Sequence, residues 1–170
     1  MRILIAGVGN VFLSDDGFGV AVARKLSAMD LPDGVSVTDF GIRGIHLAYE
    51  LTEGYDITIL IDALPRGERP GTLFVLEPSQ NWEAPAFIDA HDLTPDAVLA
   101  LAGVLSREFG GRTIAGEVLL VGCQPEDVSP GMELSPPVAA AVDAATGLVL
   151  DLVEERLRRA GVGAPHAEGR

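Results

Sequence analysis

Ile3-Leu4-Ile5-Ala6-Gly7-Val8-Gly9-Asn10 opens the chain and decides its fold. A continuous apolar run ahead of a glycine loop marks a short strand buried on both faces. That is the pattern of a parallel sheet covered by helices, not of a half-exposed hairpin. The run lacks the small-residue cleavage site of a leader and passes straight into Gly-Val-Gly-Asn, so it reads as a strand of the mature domain over about 2–8. A helical pattern follows at about 17–29, with Val20, Val22, Ala23 and Leu26 on one face. Further strands are predicted at 35–38, 55–61, 72–76 and 118–121, and short helices at 44–53 and 94–108. Thr94-Pro95-Asp96 starts the latter with a capping hydroxyl, a first-turn proline and an acid at the positive end of the dipole. Ser135-Pro136-Pro137 starts the last helix, whose stripe is Val138, Val142, Ala145, Val149, Leu152 and Leu157. Strands alternating with helices predict βαβ units and a mainly parallel, five-stranded sheet in an α/β fold. Residues 1–160 read as one domain, and 161–170 as a flexible tail.

Composition narrows the function. The 170 residues carry 25 Asp and Glu against 12 Lys and Arg, a formal charge of −13. Such an excess of acid argues against a nucleic-acid or anionic-membrane surface. Charged residues at 22% and a mean hydropathy of +0.30 exclude a disordered chain. Cys123 is the single cysteine, which excludes an internal disulfide and any multi-cysteine metal site. No stretch reaches the roughly 20 uninterrupted apolar residues of a membrane span. A cytoplasmic location is expected.

Ligands of open parallel sheets bind past the carboxyl ends of the strands. There the predicted strands bring Asp15 and Asp16, then Asp39, Gly41 and Gly44, then Asp62. The long loop over 77–92 contributes His91; it carries four acids and no Lys or Arg. The glycine loop is not a dinucleotide fingerprint, because Phe12 stands where a third glycine belongs, and no Gly-Lys-Ser/Thr makes it a phosphate loop. Two adjacent carboxylates suit a cation better than a phosphate. Asp16, Asp62 and His91 offer two hard oxygens and one imidazole, a set suited to zinc, nickel or iron(II) that leaves coordination positions open. Plain structural roles compete with this. Asp15 reads as a helix N-cap or first-turn acid, Asp39 and Asp62 as strand-end turn formers, and His91 as a solvent-facing loop residue. His46 and His166 read as incidental, Cys123 as an inert small hydrophobe, and Arg43 as a helix-start residue or a substrate contact.

Taken together, Gly7-Val-Gly-Asn10, Asp15-Asp16-Gly17-x-Gly19, Ile-Asp62-Ala63, Pro70-Gly71-Thr72, His91, Gly122-x-Gln124-Pro125 and Leu134-Ser135-Pro-Pro-Val138 resemble the hydrogenase maturation proteases. The resemblance covers residues 2 to about 155, in the family's order. It implies a three-layer α/β/α sandwich and an endopeptidase. Such an enzyme removes a short C-terminal extension from the nickel-loaded large-subunit precursor of a nickel–iron hydrogenase. By the same resemblance Asp16, Asp62 and His91 are the metal-contacting and catalytic residues, and nickel arrives with the precursor, without an organic cofactor. The segment beginning at Asp39, with Gly41 and Arg43, bears on substrate choice. Phe40, Ile42 and Arg43 depart from the family's usual Gly, Thr and variable residue there. Two other readings stand beside this one: a nickel-handling or docking module that does not cut, and a nucleotide-binding α/β domain.

Overall fold

The computed structural model describes residues 1–78, 94–108 and 116–161. Among these lie five strands: β1 (Ile3–Val8), β2 (Val35–Gly41), β3 (Ile57–Ala63), β4 (Leu73–Leu76) and β5 (Glu117–Cys123). Four helices accompany them: α1 (Phe18–Ser27), α2 (Gly44–Leu51), α3 (Pro95–Glu108) and α4 (Pro136–Arg159). The sheet order is β2-β1-β3-β5-β4. The first four strands in that order run parallel, and β4 alone runs antiparallel, against β5.

Alternation along the strands sorts the core into two halves. Ile3, Ile5, Ile57, Ile59, Ile61, Leu119 and Val121 face α1 and α4, meeting Phe18, Val22, Leu26, Val138, Ala145 and Val149. Leu4, Ala6, Leu60, Val118 and Leu120 face the other way and meet Leu47, Ala48, Leu51, Val98, Leu99 and Ala102 of α2 and α3. Helices therefore cover both faces, the three-layer sandwich expected from the sequence. All seven residues of β3 are buried, as a central strand in such a sandwich must be.

Several boundaries move. The first helical pattern divides into a 3₁₀ turn at Ser14–Gly17 and α1. β2 continues to Gly41, so Asp39 sits inside the strand opposite Gly7 instead of in a turn after it. β3 extends to Ala63, which makes Asp62 its penultimate residue. The stripe of α4 passes through Val153 where Leu152 was expected, because 3.6-residue spacing from Val149 brings Val153 round to the sheet. α4 is also long and apolar enough to cross a membrane by length and composition alone, with a window of hydropathy 1.4. Its stripe packs into the sheet-facing core, and Arg156 pairs with Glu117 of β5. The expected tail, 161–170, lies outside the described residues beyond Gly161.

Candidate functional site

The parallel strands end on one rim, and a cavity of about 710 Å³ opens there. Its walls come from the β1–α1 loop (Gly9, Asn10, Leu13, Asp16), the β2–α2 junction (Gly41, Ile42, Gly44) and the end of β3 (Asp62, Ala63). Arg66 on the following turn also contributes. Glu77, Pro78, Thr94, Pro95 and Asp96 also line it.

The glycines of the first loop serve close packing. A Cβ on Gly9, whose φ is +122°, would lie 1.8 Å from the carbonyl oxygen of Asp16. A Cβ on Gly19 would lie 2.1 Å from the Ile61 carbonyl oxygen and 2.4 Å from that of Val8. The chain therefore folds back tightly over β1, and α1 seats directly on the ends of β1 and β3. The Asn10 amide donates to Asp16 Oδ2 at 2.6 Å and fixes that carboxylate at the cavity wall.

Asp62 arrives by strand parity. It follows Leu60 on the α2–α3 side of β3, but just beyond the hydrophobic layer, so it faces the cavity. Burial pushes its carboxyl up to about 7, the charge of Asp16 pushes in the same direction, and the Ala63 amide, donating at 2.8 Å, offsets only part of this. The site thus places the Asp16 side chain beside a buried acid whose pKa is pushed up to about 7. Among the described residues no three His, Cys, Asp or Glu side chains stand together as a metal cluster. His91, the third member expected from the sequence, lies outside the described residues, as does His166.

Asp15 is a first-turn acid of the 3₁₀ turn, as one of its expected roles had it, but its side chain caps no helix. It is fully buried, and its Oδ2 accepts hydrogen bonds from the amides of Glu126 (2.8 Å) and Asp127 (3.0 Å) and from the Ser135 hydroxyl (2.8 Å). Its Oδ1 accepts from the Ser135 amide at 2.7 Å. Burial works to raise its pKa. The amides of Asp127, Ser135 and Glu126 and the Ser135 hydroxyl outweigh that and hold the carboxyl below its ordinary value. Ser135 is the residue ahead of α4, so Asp15 clasps the end of the β5–α4 loop to the loop that carries Asp16.

The other expected site residues divide. Gly41, with φ +54°, lines the cavity. Asp39 does not; it accepts a hydrogen bond from Arg24 Nε at 3.1 Å. Arg43 is exposed and turned back on the β2 end, its Nε donating to the Phe40 carbonyl at 3.0 Å and its other guanidinium nitrogen to that of Asp39. Cys123 ends β5 fully buried. Burial first, then the charge of Asp15, pushes its thiol up to about 11, which keeps it protonated and poorly nucleophilic. Gln124 stands out in the sequence only within Gly122-x-Gln124-Pro125, with no role of its own. Its Oε1 accepts the amides of Arg66 (2.6 Å) and Glu68 (3.2 Å), and its backbone pairs with Gly71 and Thr72, shaping the turn that brings Arg66 to the cavity. A buried amide next to a proline, directly after a strand, was the available signal.

Comparison with known proteins places these residues in company. The family model described as hydrogenase maturation protease matches residues 20–152. The chain is 35% identical to the hydrogenase 2 maturation protease of Escherichia coli over 167 residues, covering 96% of this chain and 95% of that protein. It is 36% identical to the hydrogenase expression/formation protein HoxM of Azotobacter vinelandii, covering 91% and 73%. Among solved structures, the hydrogenase maturating endopeptidase HybD from E. coli superposes with a TM-score of 0.71 at 32% identity, covering 95% of this chain and 94% of that one.

Proposed function

The chain belongs to the hydrogenase maturation protease family, and we propose that Asp16, Asp62 and His91 form the centre at which it reads nickel and cuts. It is an endopeptidase of hydrogenase maturation, and its substrate is the large-subunit precursor of a hydrogenase. The finer reading is removal of a short C-terminal extension from the nickel-loaded precursor, in the cytoplasm, where a lone buried Cys123 suits a reducing compartment.

One observation carries the assignment: Asp16 and Asp62 line the same cavity, and Asp62 is held there against its own ionisation. Two carboxylates in a partly dry site repel one another, and a divalent cation removes that penalty for both. Nickel delivered by the precursor would find hard oxygens from Asp16 and Asp62 and an imidazole from His91. A water activated by the metal or by a carboxylate then adds its oxygen to the scissile carbonyl carbon. The C–N bond breaks, and the proton from the water passes to the departing amine. Asp39, Gly41 and Arg43 are assigned to the choice of precursor. Gly41 stands on the cavity, while Asp39 and Arg43 hold the turn that presents it.

The test uses purified protein with nickel-loaded and nickel-free precursor, and reads the product mass. The loaded precursor should lose its C-terminal peptide and the nickel-free one should not. Asp16→Asn, Asp62→Asn and His91→Ala should each slow the cut by at least about 100-fold with the fold intact. Normal processing by the His91→Ala variant removes His91 from the site.

A further inference from the structure

We infer that the outward face of α2, continuous with the cavity through Ile42, is the surface on which the folded precursor docks. This rests on the precursor being the substrate. α2 is apolar on both sides. Leu47, Ala48 and Leu51 are fully buried against the sheet and α3, yet Ile45 and Tyr49 point away from that core and are 41% and 53% exposed. Ile42, just ahead of the helix, is 72% exposed and is itself part of the cavity wall with Asp16 and Asp62. Ile45 and Tyr49 lie one helical turn apart on α2 as one stripe, and Ile42, in the turn two residues before the helix begins, carries exposed apolar surface to the cavity wall.

A short helix with apolar residues on both faces is the pattern of a helix covered on both faces. Contiguous exposed apolar surface on an otherwise acidic protein marks a contact site. The occupant follows from the cavity. A substrate that brings a bound metal to Asp16 and Asp62 presents a folded metal site, not only an extended peptide. A body of that size must rest on the surface beside the mouth. Ile42 lies on the cavity wall three positions ahead of Ile45, so a partner seated at the mouth on this side meets Ile42, Ile45 and Tyr49. The complementary patch on the precursor is apolar and flanks its metal site.

Ile45→Glu and Tyr49→Glu test this, with Met29→Glu as the control. Met29 is 43% exposed and lies between α1 and β2, at the amino-end rim opposite the cavity, so it adds the same charge away from the stripe. Thermal melts establish that the variants fold. With nickel-loaded precursor, Ile45→Glu and Tyr49→Glu should raise KM about tenfold or more with kcat within about twofold, and Met29→Glu should change neither. Binding of the nickel-free precursor, measured by calorimetry, should weaken by a similar factor in the same two variants. Unchanged KM and unchanged binding would overturn the docking face. So would a wild-type dimer, seen by sedimentation, that these substitutions dissociate without altering KM, since the stripe would then belong to a second copy of this chain. Should the wild type bind the precursor without cutting it, loss of that binding in the two variants would uphold the docking face while the reading of the site fell.

Discussion

The sharpest consequence of the site is electrostatic and can be measured without any substrate. Asp62 has its carboxyl pushed from an ordinary 3.8 to about 7, by burial first and by the charge of Asp16 second. A raised folded-state value for an acid means that its stabilising contribution is complete below the unfolded value. That contribution is lost progressively as pH rises to about 7, and beyond it the ionised carboxylate stays buried at a constant penalty. The full difference corresponds to about 4 kcal/mol, of which roughly 3 kcal/mol is lost between about pH 5 and about pH 8. Asp62→Asn keeps the shape and removes the charge. Urea unfolding of chelator-treated protein should therefore show the wild type falling steeply over this range relative to the variant, and the variant should be the more stable protein at pH 8. Asp16→Asn should move the fall to lower pH without abolishing it, because burial is the larger cause. Wild-type and Asp62→Asn curves that run parallel within about 0.5 kcal/mol across the range would refute the reasoning, and with it the argument that an arriving cation relieves a strained pair.

Three further outcomes follow from the packing. Asp15→Ala should cost about 3 kcal/mol or more, because it orphans buried amides of the β5–α4 loop. The wild-type clasp contributes above the ordinary carboxylate range and is lost only in acid, below 3.8, as its folded value is lowered. Gly19→Ala should destabilise by at least about 3 kcal/mol although alanine favours helices, since the new methyl meets two backbone carbonyls and neither can move cheaply; a variant melting at or above the wild type would contradict this. Cys123→Ala should process precursor within about twofold of wild type, and native Cys123 should resist thiol reagents until the protein unfolds.

How much of this could be read beforehand depended on the range over which each residue acts. β1 and β3 were legible because a run such as Ile57-Thr58-Ile59-Leu60-Ile61 is a local signal of burial on both faces. Asp62 was legible because it directly follows such a run. The direction of β4 was not. Four residues, Leu73–Leu76, carry a strand pattern but no record of which way they pair. The partners of Asp15 were not legible because they lie 111 to 120 residues away, and only the fold brings them together. Gln124 acts on amides 56 and 58 residues earlier for the same reason. The segment 44–53 was recognised as a helix, but apolar spacing alone does not say that Ile45 and Tyr49 look outward while Leu47 and Leu51 look in. The pairing of Asp16 with Asp62 was anticipated from strand ends, and the structure brings both to one cavity.

The clasp made by Asp15 also has a meaning in time. Asp16 is held by the Asn10 amide within its own loop, while Asp15 beside it completes its set of bonds only when Ser135 has been reached. A nascent chain that has emerged through β5 already owns both cavity carboxylates but lacks the Ser135 bonds that complete the clasp beside the first of them. The clasp beside the cavity is therefore completed last, and a chain interrupted before Ser135 carries both carboxylates without it.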